Sequence, residues 1–106
     1  MPIIDLEQLP LKTSGGASFQ TICVEPVMML RVLVPPHTRL PPHAHDNFQM
    51  GYVLAGSCVM TIGGKRSAIS RGRAYTIPSQ ALHDLETDAE PLELLDIYYP
   101  PKGDRA

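Results

Sequence analysis

Residues 43–56 read HAHDNFQMGYVLAG, a stretch that suggests either a metal site or a polar strand entering a β-hairpin. Two histidines flank one alanine, a glutamine follows four residues after the second histidine, and the stretch closes on Gly56. If it forms one strand without a bulge, His43, His45 and Gln49 face the same way, because side chains alternate between the two faces of a strand. Two imidazoles and an amide oxygen on one face can bind a transition-metal ion, although three donors do not usually complete a site.

The rest of the chain predicts an all-β domain. Eleven prolines and eight glycines in 106 residues leave almost no room for long helices. Short β-rich runs lie between them, and Gly63-Gly64 predicts a two-residue hairpin turn. An antiparallel sandwich or barrel follows. The predicted strands are Ser18 to Val24, Val27 to Val34, Phe48 to Ala55, Cys58 to Ile62, Ala74 to Ile77 and Leu92 to Tyr99.

The fourth ligand is expected to be His83, which follows the tight IPSQAL turn at the end of another strand. A neighbouring segment could direct it at the same point, whereas His37, in PPHTRLPP, lacks such spacing. A lone strand histidine is more often hydrogen-bonded or exposed than a ligand, and H-x-H alone is a weak signal. Spacing alone therefore leaves both interpretations open.

Composition and charge exclude several classes of function. The net charge of −2 and the pI near 6.0 give no broad basic surface, so nucleic acid is not expected as a partner. No apolar run is long enough for a membrane helix, and the first ten residues lack a signal-peptide pattern. Cys23 and Cys58 form no C-x-x-C pair, and both are expected to be buried in a reduced, cytoplasmic protein.

Two segments in the correct order resemble the motifs of the cupin superfamily. Its first motif, G-x5-H-x-H-x3/4-E-x6-G, is similar to the segment from His37 to Gly56. Its second, G-x5-P-x-G-x2-H-x3-N, is similar to the segment from Gly72 to Thr87. The resemblance implies a small single-domain cupin, a jelly-roll-like barrel of six to eight strands with one metal ion held by His43, His45, Gln49 and His83.

Four positions depart from these motifs. His37 and Gln80 stand at glycine positions and Thr87 stands at the asparagine, so the loop geometry is expected to differ. Gln49 replaces the glutamate, and a neutral amide leaves the full charge of a divalent ion uncancelled. Such a site favours Lewis-acid chemistry on anionic substrates. The ion could be nickel, zinc, manganese or iron, and a degraded, metal-free site is the alternative.

The last strand carries a second group of polar residues. Asp96 and Tyr98 share one face, and Lys102 follows Pro100-Pro101. If that face looks into the barrel, Asp96 can act as a general base beside the metal. A structural acid paired with backbone or arginine is the alternative, and strand parity alone does not choose between them.

These residues resemble one cupin group, the pectin-degradation cupins that linearise unsaturated uronates. The likeness rests on Gln49, the run from Gly51 to Gly56, the hairpin TIGG at residues 61–64, and Asp96 with Pro100-Pro101. Tyr98 stands where this group has phenylalanine, and Lys102 where it has arginine, so a bidentate grip on a carboxylate is lost. The resemblance implies a ring-opening isomerisation of 4,5-unsaturated monouronates, with Asp96, Tyr98 and Lys102 as the catalytic residues.

The sequence is also compatible with two other classes of function. One is a metal-dependent dioxygenase similar to quercetinases, and the other is a non-catalytic cupin that binds a small molecule. The chain is expected to comprise a lead-in segment (1–16), a barrel (17–101) and a tail (102–106). Because Ile3, Ile4, Leu6, Leu9 and Leu11 make the lead-in apolar, it is expected to contact the partner in a homodimer.

Overall fold

The structure is a computed structural model that describes residues 3–101. Apart from one short 3-10 helix, Leu6–Gln8, the regular elements are strands. No helix within residues 3–101 is long and apolar enough to cross a membrane. The ten strands are β1 Lys12–Ser14, β2 Ala17–Val24, β3 Val27–Val34, β4 Arg39–His43, β5 Phe48–Ala55, β6 Ser57–Ile62, β7 Lys65–Ser70, β8 Ala74–Ile77, β9 His83–Glu86 and β10 Leu92–Tyr99.

The strands form two antiparallel sheets. The larger has the order β1-β2-β3-β10-β5-β8, and the smaller has the order β4-β9-β6-β7. Sequential hairpins make part of each sheet, whereas β10 returns from the end of the chain to pair between β3 and β5. This arrangement confirms the expected all-β, jelly-roll-like barrel.

The core lies between the inner faces of the two sheets. Strand β3 buries every second residue, and β10 buries Leu92, Leu94, Asp96 and Tyr98. Alternating burial of this kind is expected for a strand with one face on a core. The even-numbered face of β10 therefore looks inward, and it carries an acid and a phenol among leucines.

Two local predictions can be compared directly with the structure. Gly63 and Gly64 both have positive φ and join β6 to β7, which confirms the hairpin. Cys58 is buried, and burial raises the pKa of its thiol to about 11. Cys23 is exposed, so its predicted burial was wrong; it lies near the end of β2, where the strand leaves the core.

The lead-in segment is bonded to its own chain. Strand β1 pairs with β2, and the side chain of Gln20 donates to the carbonyl oxygens of Glu7, at 3.1 Å, and Leu9, at 3.0 Å. Ile3, Ile4 and Leu11 nevertheless stay exposed. Contact of this segment with a partner chain stays a prediction.

Candidate metal centre

The backbone brings three histidines together by a different route from the one predicted. The stretch from His43 to Gln49 is not one strand: β4 ends at His43, residues 44–47 form a loop with a bend at 46–47, and β5 begins at Phe48. Strand alternation therefore does not explain where His45 lies, and the assumption that residues 43–49 form one continuous strand was wrong. His43 is instead the cross-strand partner of His83, which begins β9.

The three imidazoles face one another. The ring of His83 has its centroid 4.2 Å from that of His43 and 4.9 Å from that of His45. One nitrogen from each ring lies within 4.8 Å of the others. His83 is buried, His45 half-buried and His43 exposed, so the cluster opens to solvent on one side.

A main-chain hydrogen bond selects the tautomer of each neutral imidazole. The Nδ1 atoms of His43, His45 and His83 lie 3.0, 3.1 and 2.9 Å from carbonyl oxygens of residues two positions away in sequence. A carbonyl oxygen can only accept, so Nδ1–H is the donor in every case. In the neutral rings Nε2 then carries a lone pair, which is the form that binds a metal ion.

Gln49 supports the fit of a metal ion. Its Oε1 lies 3.1 Å from the Nε2 of His45, so two lone-pair atoms face each other. Two ligands about 2.1 Å from one ion are separated by about 3.0–3.4 Å at octahedral or tetrahedral angles. Gln49 is 8% exposed and lies on the inner face of β5. The residues present are therefore compatible with a divalent cation bound by three imidazoles and one amide oxygen.

His37 and Gln80, which stand at glycine positions of the motifs, both have a positive φ. His37 and Gln80 have φ values of 53° and 70°, in the left-handed region that glycine adopts easily. The N–H of Gln80 donates to the carbonyl of His45 at 2.8 Å, and its side-chain amide donates to Asp46. The turn before His83 is thereby bonded to the loop that carries His45.

Thr87, at the asparagine position of the second motif, is a buried residue whose hydroxyl makes partly buried hydrogen bonds. Its hydroxyl donates to the carbonyl of Pro35 at 2.6 Å and accepts from the N–H of Thr38 at 3.0 Å. These bonds join the end of β9 to the segment that leads into β4. They support the pairing that places His43 opposite His83.

Asp96 and Tyr98 lie on the inner face of β10, 4% and 6% exposed. The cross-strand partner of Tyr98 is Gln49, and its ring centroid lies 5.6 Å from that of His45. Asp96 precedes Tyr98 by two residues and lies on the same buried face. Lys102 lies outside the described residues.

One cavity of about 260 Å³ contains most of these groups. Its wall includes His43, Gln49, His83, Asp96 and Tyr98. Much of the remaining wall is apolar and comes from the core: Phe19, Val32, Leu40, Met60, Ile77, Leu85 and Leu94. A larger depression of about 510 Å³, between β6, β7 and β9, contains none of the candidate residues. Most of the candidate ligands and catalytic residues therefore line the smaller cavity inside the barrel.

Sequence reasoning missed the contact between Tyr75 and Asp96. Tyr75 is 7% exposed, and its hydroxyl donates to Oδ1 of Asp96. Burial first, and then the charge of Asp96, raise the pKa of Tyr75 well above its ordinary value. The available signal was parity in β8, since Tyr75 and Ile77 occupy its two buried positions.

Comparisons with known proteins agree with this architecture. The pectin degradation protein KdgF of Dickeya dadantii (strain 3937) is 33% identical over 64 residues, 59% of this chain and 58% of that protein. H2HPP isomerase of Bacillus subtilis is 40% identical over 60 residues, 54% of this chain and 25% of that protein. The chain thus spans just over half of one relative and a quarter of the other.

Solved structures show the same fold over nearly the whole chain. KdgF from Halomonas sp. has a TM-score of 0.85 at 22% identity, covering 97% of this chain and 96% of that one. An RmlC-like cupin from Shewanella frigidimarina NCIMB 400 has a TM-score of 0.90 at 19% identity, covering 100% and 96%. The profile described as "Cupin domain" matches residues 30–98, more than half of the chain. The chain therefore belongs to the cupin family, as a small single-domain cupin that resembles the pectin-degradation proteins.

Proposed function

We propose that this cupin is a metal-dependent isomerase-type enzyme that linearises 4,5-unsaturated monouronates, small anionic sugars. The observation that carries the proposal is the shared cavity, in which His43, His83 and Gln49 are combined with the buried acid Asp96. The relatives named KdgF and H2HPP isomerase support an isomerase-type reaction on a small molecule.

The ion would be held by His43, His45, His83 and Gln49. A bound divalent ion with only neutral ligands supplies Lewis acidity, which withdraws electron density from a substrate oxygen. Nickel, zinc, manganese and iron all accept three imidazoles and an amide oxygen. Because the Nδ1–H groups are held by main-chain carbonyls, the imidazoles need little reorganisation to bind it.

Asp96 is the proposed proton carrier. Its carboxylate accepts the proton of the anomeric hydroxyl as the bond between the anomeric carbon and the ring oxygen breaks. The enolate released by that cleavage becomes a ketone when Asp96 delivers the same proton to carbon 4. One proton is taken and one is returned, so the reaction is an isomerisation without change of oxidation state.

The remaining residues of the proposed site bind and shield the substrate. Tyr98 shapes the cavity beside Gln49 and can donate a hydrogen bond through its hydroxyl. Lys102 is proposed to attract the substrate carboxylate as a point charge. The apolar wall limits water around the reacting groups, which strengthens electrostatic interactions with Asp96.

Elemental analysis of the purified protein, followed by an absorbance assay, tests this proposal. We expect a stoichiometric divalent metal and a loss of the unsaturated-uronate absorbance that stops when chelator removes the ion. Binding of the uronate without turnover in metal-loaded protein would instead favour a non-catalytic cupin. Oxygen uptake with an aromatic substrate would favour a dioxygenase.

Replacing Asp96 with asparagine tests the proton carrier. Asp96→Asn is expected to abolish turnover, because the amide cannot carry the proton, and to leave the metal content unchanged. Asp88→Asn is the matched control, since the side chain of Asp88 is 99% exposed. Wild-type activity in the Asp96 variant would remove this residue from the mechanism.

We also propose a homodimer and a cytoplasmic location. Several large apolar side chains on the outer face of the larger sheet are exposed, including Phe48, Met50, Tyr52 and Tyr99. An apolar sheet face of this kind is suited to an isologous contact with a second copy. Two cysteines without a disulfide are compatible with a reducing compartment.

A further inference from the structure

Tyr75, Gly51 and Asp96 form one row across three strands. Gly51 on β5 is the cross-strand partner of both Tyr75 on β8 and Asp96 on β10. Neighbouring strands are about 4.8 Å apart, so the strands of Tyr75 and Asp96 are about 9–10 Å apart. In most sheets a side chain on the middle strand would stand between them.

Glycine at the middle position leaves that space open. A Cβ atom placed on Gly51 would collide with the ring and hydroxyl of Tyr75 and with Oδ1 of Asp96. The hydroxyl of Tyr75 therefore crosses over the backbone of Gly51 to reach the carboxylate. The backbone φ of Gly51 is not in the left-handed region. Glycine is required here because a side chain would not fit, and not because of the backbone conformation.

The hydrogen bond has a fixed direction. A phenol that is buried beside a carboxylate keeps its proton, so Tyr75 donates and Asp96 accepts. A hydrogen bond to an ionised group is shorter and stronger than a neutral one, and it restricts the rotation of the carboxyl group. Both residues line the cavity that contains His43 and His83.

We propose that Tyr75 is a positioning residue that holds the carboxylate of Asp96 in the cavity through the space left by Gly51. The proposal rests on the proposed function, because it assumes that Asp96 carries the proton. Tyr75 itself exchanges no proton with substrate. Its contribution is to restrict the orientation of Asp96, and reactivity depends strongly on such orientation.

Steady-state kinetics of Tyr75→Phe is the first test. We expect kcat to fall about tenfold to a hundredfold while KM stays within about twofold and the metal content is unchanged. Tyr52→Phe, an exposed tyrosine of the same sheet, is the matched control and should behave as wild type. Wild-type kcat in Tyr75→Phe, or a loss of metal that accounts for the change, would overturn the proposal.

Gly51→Ala gives an independent second variant. A methyl group there forces Tyr75 and Asp96 apart, so it should reproduce the kcat loss, and adding Tyr75→Phe should cause little further loss. If the two losses multiply in the double variant, Tyr75 does not act through this contact. Should Gly51→Ala fail to fold, Tyr75→Phe still decides.

A thermal double-mutant cycle separates this proposal from the proposed function. The single variants Tyr75→Phe and Asp96→Ala should each lower Tm. In the double variant the decrease in Tm should be smaller than the sum of the two single decreases, by about 4 °C or more. If wild-type protein loaded with metal does not convert the uronate, the proposed function is wrong, and this cycle still tests the contact. Additive effects of the two substitutions on Tm would show that Tyr75 and Asp96 do not interact, and would overturn the positioning role of Tyr75.

Discussion

Gln49 introduces a neutral side chain where a carboxylate would cancel part of a metal ion's charge. Its amide oxygen lies 3.1 Å from the Nε2 of His45, and the residue is almost fully buried. A negative charge about 4 Å from a positive charge is worth about 4 kcal/mol even at an effective dielectric constant of about 20, and a ligand oxygen would be nearer to a bound ion than that. The identity of this one residue should therefore set both metal affinity and electrophilicity.

Gln49→Glu is expected to retain the ion more firmly and to convert substrate more slowly. The added charge should slow loss of metal during dialysis against chelator by at least about tenfold, and it should lower kcat because the ion becomes less electrophilic. Metal content over time and turnover of the same samples measure the two effects.

The control for this variant is Gln8→Glu, which adds the same charge at an exposed position of the 3-10 helix. It should leave both quantities unchanged. Equal metal retention in wild type and Gln49→Glu would argue against Gln49 as a ligand.

At the scale of elements, a small hydrogen-bond network joins the lead-in segment to the larger sheet. Gln20 on β2 donates to the carbonyls of Glu7 and Leu9 and accepts from Arg31 on β3 at 2.6 Å. Arg31 also donates to Glu93 on β10 at 2.7 Å. The network ties the 3-10 helix to three adjacent strands.

Gln20→Ala should therefore release the lead-in segment. Loss of a buried polar group with several partners is expected to cost about 1–3 kcal/mol in the free energy of unfolding. For a domain of this size, Tm would fall by several degrees, and amide exchange of residues 6–9 would accelerate. Gln8→Ala, on the exposed face of the same helix, should change neither; an unchanged Tm in Gln20→Ala would contradict the role of the network.

Strands with a clear apolar pattern were predictable from sequence, and the others were not. The predicted bounds of Phe48 to Ala55, Ala74 to Ile77 and Leu92 to Tyr99 coincide with β5, β8 and β10. Strand β4 escaped prediction because it contains Pro41-Pro42, which is tolerated since β4 is at the edge of its sheet. Strand β9, with the sequence HDLE, has no apolar alternation to detect.

The candidate site was only partly predictable for a related reason. The residue types and their spacing in the two motifs predicted the candidate ligands His43, His45, Gln49 and His83, although the continuous strand assumed for residues 43–49 is broken. The contact of Tyr75 with Asp96 depends on the register of β8, β5 and β10, which are not consecutive in sequence. Register of that kind is set by the assembled barrel and cannot be read from local patterns.

At the scale of the whole molecule, the outer face of the larger sheet is apolar over a wide area. Val24 and Val27 pair across β2 and β3, and Phe48 pairs with Tyr99 across β5 and β10; their exposures range from 42% to 63%. Contiguous apolar surface of this extent commonly marks an interface.

Met50→Lys is expected to weaken the proposed homodimer. Met50 is 53% exposed in the middle of β5, and a buried, unpaired ammonium group at an interface is costly. Sedimentation or light scattering at several concentrations should show a dimer for wild type and a shift to monomer for the variant. Leu82→Lys, equally exposed but on the loop before β9, should stay dimeric. A wild-type monomer at high concentration would exclude the dimer.

The candidate ligands come from both sheets. His43 and His83 belong to β4 and β9 of the smaller sheet, whereas Gln49 belongs to β5 of the larger one. A partly folded chain whose layers have not yet closed on each other would have only half a binding site. A bound cation would then link the two sheets and stabilise the closed barrel. Cation binding would therefore measure whether the chain has completed folding.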